Sequence, residues 1–230
     1  MKGTGQSAQR FFILISGISR QGRAVMKMTK IKICGMMRRA DINAVNIAHP
    51  DYIGFIFAKG RKRTISAETA AQLKERLMSD IKAVGVFLDN DIKEIAKICE
   101  DGIINIVQLH GNEDKDFISS LKRRISCPII KAVSVCTPED ILLAQTLPAD
   151  YLLLDTYKKG QSGGTGEAFD WSLIPEMEKP FFLAGGLNEE NIGEAMKCGA
   201  YALDVSSGAE TDGKKDIHKI INIVRKVRGD

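Results

Sequence analysis

A cysteine and an aspartate end two apolar segments of the chain that read as strands. Cys34 closes the segment 31–34 and is followed by Gly35, and Asp155 closes the run 151–155. A thiol at the C-terminal end of a strand, with a glycine that frees the backbone to turn, can face a substrate pocket. A carboxylic acid among apolar neighbours can keep its proton near neutrality and act as a general acid. The pair predicts proton transfer between two strand ends.

Each of these residues has a plainer interpretation when it is taken alone. A free cysteine is most often a small buried apolar residue, and an aspartate in such a position often stabilises a loop. The functional interpretation of Cys34 and Asp155 therefore depends on their pairing above a predicted phosphate site.

That phosphate site is predicted from three turns late in the chain, at 163–166, 184–187 and 206–208, which are rich in glycine or serine. Backbone N–H groups bind phosphate in the loops after the seventh and eighth strands of α/β barrels, and small residues allow the close approach. Ordinary tight turns are the alternative explanation. The candidate phosphate-binding residues are Gly164, Gly185, Gly186, Ser206, Ser207 and Gly208.

Three further polar residues lie at or near predicted strand ends. Arg63 follows the second strand, where its guanidinium could bind a substrate carboxylate, whereas the adjacent Arg61 and Lys62 read as a solvated basic loop. Asp204 lies inside the eighth strand, where a charge needs a partner or a function. His110 closes the fourth strand, and we interpret it as a structural hydrogen-bonding residue of the loop rather than as a base.

The elements that must position these residues alternate along the chain. Short runs rich in Ile, Val, Leu, Phe and Tyr alternate with amphipathic segments of helical period, which is typical of repeated βα units. Eight such units favour a closed α/β (β/α)₈ TIM barrel, whose site lies at the C-terminal ends of the strands. An open doubly wound sheet remains an alternative, because a strand count does not prove closure. The predicted strands are 31–34, 52–57, 83–87, 104–109, 129–133, 151–155, 181–184 and 201–205.

Composition narrows the class of protein further. The 230 residues are 44% hydrophobic and 27% charged, which indicates a globular protein and argues against disorder and membrane insertion. The net charge of +4 is spread along the chain, which favours an anionic small molecule over nucleic acid. The five cysteines include no CxxC pair, so we predict neither a metal site nor disulfides, but reduced thiols in a cytoplasmic protein.

The first 27 residues are predicted to be an N-terminal extension outside the barrel domain, which we place at 28–230. Their apolar run, 11–15, is too short to span a bilayer and lacks a good cleavage region. The connection 156–171 is the longest loop and is expected to be functional.

Several segments, in the same order along the chain, resemble the phosphoribosylanthranilate isomerase family of tryptophan biosynthesis. The resemblance extends from about residue 30 to the end of the chain, and the order of the segments is more specific than any one motif. The segments are KICG at 32–35, GFIF at 54–57, VGVF at 84–87, VQLHG at 107–111, LDT at 154–156, GGTG at 163–166, FDW at 169–171, LAGGL at 183–187 and DVSSG at 204–208.

The resemblance implies a (β/α)₈ barrel without cofactor or metal. A barrel of this size can be a monomer or a homodimer, and the sequence does not distinguish the two. The resemblance also implies the Amadori rearrangement of a small-molecule substrate, N-(5-phosphoribosyl)anthranilate, to 1-(2-carboxyphenylamino)-1-deoxyribulose 5-phosphate. The family's general base corresponds to Cys34 and its general acid to Asp155. Its carboxylate-binding arginine corresponds to Arg63, and Asp204 is expected to contact the substrate or order the site. A thiolate base further requires nearby cations or helix N-termini that lower the thiol pKa.

The chain departs from the family pattern in two loops. Met37 stands where many members have threonine, and Arg61 and Lys62 replace the usual Ser-Pro. These departures affect the expected substrate geometry more than the reaction type.

Other phosphate-binding barrels fit the sequence less well. An aminoaldose isomerase of histidine synthesis would need paired aspartates where this chain has Cys34 and Val133, and an indole-glycerol-phosphate synthase would need a catalytic lysine, for which Lys131 is a weak candidate. A catalytically silent phosphate-binding barrel stays open, although the presence of both Cys34 and Asp155 argues against it.

Overall fold

A computed structural model of the protein describes residues 28–156 and 168–229. The predicted N-terminal extension, 1–27, and Gly164 with most of the long loop after the sixth strand lie outside the described residues.

Eight parallel strands form a closed barrel in which sequence neighbours are sheet neighbours and the last strand pairs with the first. Closure is direct, because Ile31 lies opposite Leu203 and Lys32 opposite Asp204. The prediction of a closed (β/α)₈ barrel is confirmed, and each predicted strand is found to within two residues at either end. The strands are β1 (Lys30–Cys34), β2 (Tyr52–Ile56), β3 (Lys82–Phe87), β4 (Ile106–Leu109), β5 (Ile129–Val135), β6 (Tyr151–Thr156), β7 (Phe181–Leu183) and β8 (Ala202–Val205).

The strands bury side chains on both of their faces, which explains their near-continuous apolar runs. Outward-facing residues such as Ile31 and Ile33 belong to the main core that also includes the helices. Inward-facing residues such as Val84, Leu153 and Phe182 fill the barrel interior. Because successive side chains alternate between faces, the residue between Ile31 and Ile33 must point inward. That residue is Lys32, which is fully buried.

Seven α-helices pack outside the barrel within the described ranges. Their start signals are local: the Ser66 hydroxyl accepts a hydrogen bond from the Thr69 N–H, and the Asp114 carboxylate accepts one from the Phe117 N–H. Such caps satisfy N–H groups that have no partner inside the helix. The helices are α1 (Arg39–Ala48), α2 (Ala67–Lys74), α3 (Ile92–Glu100), α4 (Lys115–Lys122), α5 (Pro138–Gln145), α6 (Ile192–Ala195) and α7 (Ile217–Arg228).

Two connections differ from the simple βα repeat. Between β6 and β7 the described residues contain only a 3₁₀ turn, Trp171–Leu173. After β8 the chain makes a short antiparallel hairpin, β9 (Glu210–Thr211) and β10 (Lys214–Lys215), before α7 begins. This hairpin brings two charged side chains to the active-site end of the barrel. None of the described helices is long and apolar enough to cross a membrane.

Candidate active site

A cavity of about 540 Å³ opens at the C-terminal ends of the strands. This is the end where α/β barrels carry their sites. Its lining contains most of the residues singled out from the sequence, from the ends of β1, β6 and β8 and from the loops after β2 and β7. The predicted site residues that line it are Cys34, Arg63, Asp155, Gly185, Gly186, Asp204, Ser206 and Ser207.

Cys34 is the last residue of β1 and is only 6% exposed. Burial raises the pKa of its thiol above the ordinary value, and the nearby Asp204 carboxylate adds to the rise. The positive charges of Lys32, Lys215 and Arg63 oppose it without outweighing burial. The cations expected beside a thiolate base are therefore present, but in the ligand-free protein they leave Cys34 as a neutral thiol at neutral pH.

A glycine on the neighbouring strand makes room for this thiol. A Cβ atom added at Gly54 would lie 2.6 Å from Cys34 Sγ and 3.1 Å from its Cα. Both distances are shorter than ordinary van der Waals contact, so β2 can lie beside Cys34 only with glycine at this position.

If the Cys34 thiol acts on a substrate, we expect Gly54→Ala to lower kcat about 10²-fold, because a displacement of a reacting group by about 1 Å has an effect of that size. The matched control is Gly193→Ala, since a Cβ atom at Gly193 meets nothing within 4 Å. Steady-state kinetics of both variants, with thermal unfolding to show that they fold, would measure the effect. Equal activity of the two variants would show that the thiol does not need its present position.

Asp155 lies near the end of β6 and is 8% exposed. In the closed barrel, β6 lies across the cavity from β1 and β2. Asp155 Oδ1 accepts a hydrogen bond of 2.8 Å from the Thr156 N–H, and its Oδ2 lies 3.3 Å from His110 Nε2. The carboxyl group is thus held between a backbone donor and an imidazole. His110 was interpreted as a structural residue of its loop, but its ring lines the cavity and faces Asp155.

A series of hydrogen-bonded polar side chains, of which only His110 is partly exposed, connects Asp155 to the other side of the barrel. Lys32 Nζ lies 2.7 Å from Asp204 Oδ2 and 2.9 Å from Gln108 Oε1, and Gln108 Nε2 lies 2.9 Å from His110 Nδ1. Burial alone would lower the pKa of Lys32, but the charge of the Asp204 carboxylate, to which Lys32 also donates a hydrogen bond, raises it above its usual value. Lys32 is therefore a buried cation at the centre of the barrel.

Only one oxygen of the Asp204 carboxylate has a hydrogen-bond partner among the described residues. Its Oδ2 contacts Lys32, whereas its Oδ1 is buried without a hydrogen-bond partner among the described residues. A buried acceptor left unsatisfied is costly, so the oxygen fits a donor supplied by a ligand. Lys32 is thus the partner for the charge of Asp204 inside the strand.

Arg63 is held in place by the hairpin after β8. Its Nη1 lies 2.5 Å from Glu210 Oε1, and Lys215 Nζ lies 2.6 Å from the same oxygen. Burial alone would raise the pKa of Glu210, but Lys215 and Arg63 together lower it below its usual value. The Arg63 side chain also packs over Gly35, where an added Cβ atom would lie 2.8 Å from Cδ. Since Gly35 has φ +91°, glycine is favoured there on two grounds.

The predicted phosphate-binding residues fall into three groups. Gly185, Gly186, Ser206 and Ser207 line the cavity, and the Ser206 hydroxyl donates a hydrogen bond of 3.3 Å to the Cys34 carbonyl. Gly208 does not line the cavity but packs against the backbone of Leu187 and Asn188, where a Cβ atom would collide with the Leu187 carbonyl oxygen. Gly164 lies outside the described residues.

This arrangement agrees with what comparison with known proteins shows. A family model described as "N-(5'phosphoribosyl)anthranilate (PRA) isomerase" matches residues 31–226. The chain belongs to the N-(5'-phosphoribosyl)anthranilate isomerase family. It is therefore an enzyme of the isomerase class, as the segment order KICG to DVSSG predicted.

Relatives match the chain over almost their whole length. The N-(5'-phosphoribosyl)anthranilate isomerase of Endomicrobium trichonymphae is 49% identical over 202 residues, which cover 87% of this chain and 99% of the relative. That of Lachnoclostridium phytofermentans is 44% identical over 205 residues, covering 83% and 94% respectively.

Solved structures of the family share the fold. The phosphoribosyl anthranilate isomerase of Thermotoga maritima has a TM-score of 0.78 and 33% identity, covering 88% of this chain and 100% of that one. A second family structure, in complex with reduced 1-(o-carboxyphenylamino)-1-deoxyribulose 5-phosphate, has a TM-score of 0.75 and 32% identity with the same coverage. A third is described as monomers generated from the dimeric Thermotoga maritima enzyme, with a TM-score of 0.75, 32% identity and again the same coverage.

Family membership also decides against the competing barrel enzymes. A synthase of the indole-glycerol-phosphate type would need a catalytic lysine, and Lys131 was the candidate. Lys131 is engaged elsewhere, because its Nζ lies 2.9 Å from Glu113 Oε2 and 2.6 Å from the Gly111 carbonyl oxygen. Within the described residues no group of three or more His, Cys, Asp or Glu side chains could hold a metal ion.

Four polar residues line the cavity or contact its lining and were not singled out from the sequence: Lys32, Gln108, Glu210 and Lys215. A signal existed for the first two, since a polar residue inside a strand buried on both faces needs a partner. No comparable signal existed for Glu210 and Lys215, because their hairpin follows the eighth strand in a segment that reads as an ordinary polar connection.

Proposed function

We propose that the chain converts N-(5'-phosphoribosyl)anthranilate to 1-(2-carboxyphenylamino)-1-deoxyribulose 5-phosphate, with Asp155 as general acid and Cys34 as general base. The observation that carries the proposal is that these two buried side chains line one cavity together with Arg63. The family's names and the complex of a relative with a reduced form of this product support the choice of substrate.

The rearrangement begins with one proton given and one proton taken. A protonated Asp155 donates to the furanose ring oxygen, the ring opens, and an iminium ion conjugated with the aromatic amine forms. That cation acidifies the sugar C2–H, and the Cys34 thiolate removes the proton to give an enolamine. Return of a proton to C1 and loss of the enol proton give the ketone. One acid and one base that face the same substrate are sufficient for this chemistry.

The substrate's two anionic ends suit opposite parts of the cavity. Arg63 binds the anthranilate carboxylate, because a guanidinium has five donors and Glu210 occupies Nη1. Backbone N–H groups at Gly185, Gly186, Ser206 and Ser207, together with the turn around Gly164, bind the phosphate. Gly208 contributes by letting the turn that carries Ser206 and Ser207 pack against Leu187. Asp204 Oδ1, which lacks a partner among the described residues, accepts a hydrogen bond from a sugar hydroxyl, while Lys32 holds the carboxylate in position.

We expect the Cys34 thiol to ionise only above pH 9 in the folded protein. Burial raises its pKa above the ordinary value of 9.0. The fraction of protein with an ionised Cys34 is therefore small at neutral pH and grows as pH approaches that raised pKa. The difference in ultraviolet thiolate absorbance between the wild type and Cys34→Ala, followed against pH over the range in which the protein stays folded, measures this ionisation. A Cys34 thiol that is already ionised at neutral pH would contradict the raised pKa.

Turnover of the purified chain tests the function itself. Freshly prepared N-(5'-phosphoribosyl)anthranilate would be incubated with the protein, the loss of anthranilate fluorescence followed, and the product identified by mass and NMR. The expected result is enzyme-dependent formation of the ketone. Binding without turnover by well-folded protein would instead favour a catalytically silent phosphate-binding barrel.

Three further proposals concern the domain boundary, the oligomeric state and the cellular compartment of the enzyme. We place the catalytic barrel at 28–230 with 1–27 outside it, which is supported by the start of the family match at residue 31. The protein is a monomer or a homodimer, the latter being the form named for the relative from Thermotoga maritima. Its five free cysteines suit a reducing cytoplasm. Size-exclusion chromatography with light scattering and mass spectrometry of the native N-terminus would test the assembly and the extension.

A further inference from the structure

Hydrogen bonds join Lys32, Gln108 and His110 in series. Lys32 fixes which groups donate and which accept in this series. An ammonium group has three donors and no acceptor, so the Gln108 atom 2.9 Å from Lys32 Nζ must be the carbonyl oxygen. The opposite orientation of the amide would place its NH₂ group against a cation. Gln108 therefore presents its NH₂ group, a donor, to His110 Nδ1 at 2.9 Å.

This donor determines which imidazole nitrogen carries the proton. Nδ1 accepts from the Gln108 amide and has no proton of its own, so the single proton of the neutral ring is on Nε2. A proton on Nδ1 in place of Nε2 would set two donors against each other. The protonated nitrogen, Nε2, is the one 3.3 Å from Asp155 Oδ2.

We propose that Gln108 and His110 are positioning residues that orient the carboxyl group of the general acid, Asp155. An Nε2 that carries a proton can donate toward Oδ2, while the Thr156 N–H donates to Oδ1. The carboxyl group is thereby held from both of its oxygens in a fixed orientation at the cavity. An Nε2 without a proton could not donate, so this orientation depends on the Gln108 amide, which sets the tautomer of the ring.

The catalytic part of this inference rests on the proposed function, whereas the tautomer does not. The 3.3 Å separation is long for a hydrogen bond, and such contacts commonly tighten when substrate binds. The tautomer is present in the free protein and can be measured without substrate.

Nitrogen-15 NMR of the histidine rings at neutral pH tests the tautomer. The chain has three histidines, so His49→Gln and His218→Gln assign the His110 signals. We expect His110 Nδ1 to resonate as an unprotonated nitrogen and Nε2 as a protonated one. In Gln108→Glu the new carboxylate can only accept, so Nδ1 should become protonated. A wild-type ring that is protonated at Nδ1 would overturn the proposal.

Kinetics of two His110 variants test the positioning role. Glutamine can place an amide donor near the position of Nε2 but cannot act as a base, whereas leucine offers neither. We expect His110→Leu to lower kcat about 10- to 100-fold with a smaller effect on KM, the usual range for residues that orient a reacting group. His110→Gln should recover much of that loss. Equal loss in both variants would overturn the positioning role, whereas absence of turnover in the wild type would refute the proposed function and leave the tautomer result intact.

Discussion

Replacing Cys34 with alanine is expected to lower kcat by roughly 10²- to 10⁴-fold, the range for removal of a general base. No other thiol lines the cavity among the described residues, so no second cysteine can take over the proton. The fold should survive, since the side chain that is lost is small and borders the cavity. Fluorescence-monitored turnover and thermal unfolding of the variant would measure both effects.

Cys99→Ala is the matched control for that change. Cys99 is a half-buried cysteine outside the cavity, at the end of α3. We expect it to leave kcat within a small factor of the wild-type value. A Cys34→Ala protein that retains wild-type kcat would remove Cys34 from the mechanism, and an equal loss in Cys99→Ala would attribute the effect to the fold.

Lys32→Met is expected to have the largest effect on stability. The change keeps the length and apolar stem of the side chain but leaves the Asp204 carboxylate buried without its cation. Breaking a buried ion pair by removing one partner typically costs about 3–5 kcal/mol in the free energy of unfolding. Activity should fall as well, because Gln108 and Asp204 lose the group that orients them.

Urea unfolding of Lys32→Met and of Lys97→Met would compare the loss of a buried positive charge with the loss of an exposed one. The Lys97 pair with Asp101 lies on the surface of α3, and exposed pairs of this kind contribute little to stability. Adding Asp204→Asn to Lys32→Met should restore part of the lost stability, because the uncompensated charge disappears. If the two lysine variants unfold alike, the buried pair does not contribute to stability as we describe.

The barrel could be predicted from the sequence because its strands are buried on both faces. Segments such as 181–184 and 201–205 are short, apolar and regularly spaced, and that pattern is dictated by packing against the interior and the helices at once. The number of units favoured closure without proving it, because the pairing of Ile31 with Leu203 joins residues at opposite ends of the chain.

The site could be predicted only in part, for a similar reason. Cys34 and Asp155 were visible because each closes an apolar run, and their place at one cavity followed from the barrel. The hydrogen bonds from Lys32 through Gln108 to His110 depend on which side chains point inward at the same height, which only the register of the strands determines. The clamp of Glu210 and Lys215 on Arg63 depends on a hairpin that has no sequence signature of its own.

The most direct test of the account is turnover of N-(5'-phosphoribosyl)anthranilate by four proteins: the wild type, Cys34→Ala, Asp155→Asn and the double variant. We predict a large loss of kcat in each single variant and little further loss in the double variant, because an acid and a base that act in one sequence are strongly non-additive. Turnover that persists undiminished in both single variants would contradict the assignment of Cys34 and Asp155 as base and acid.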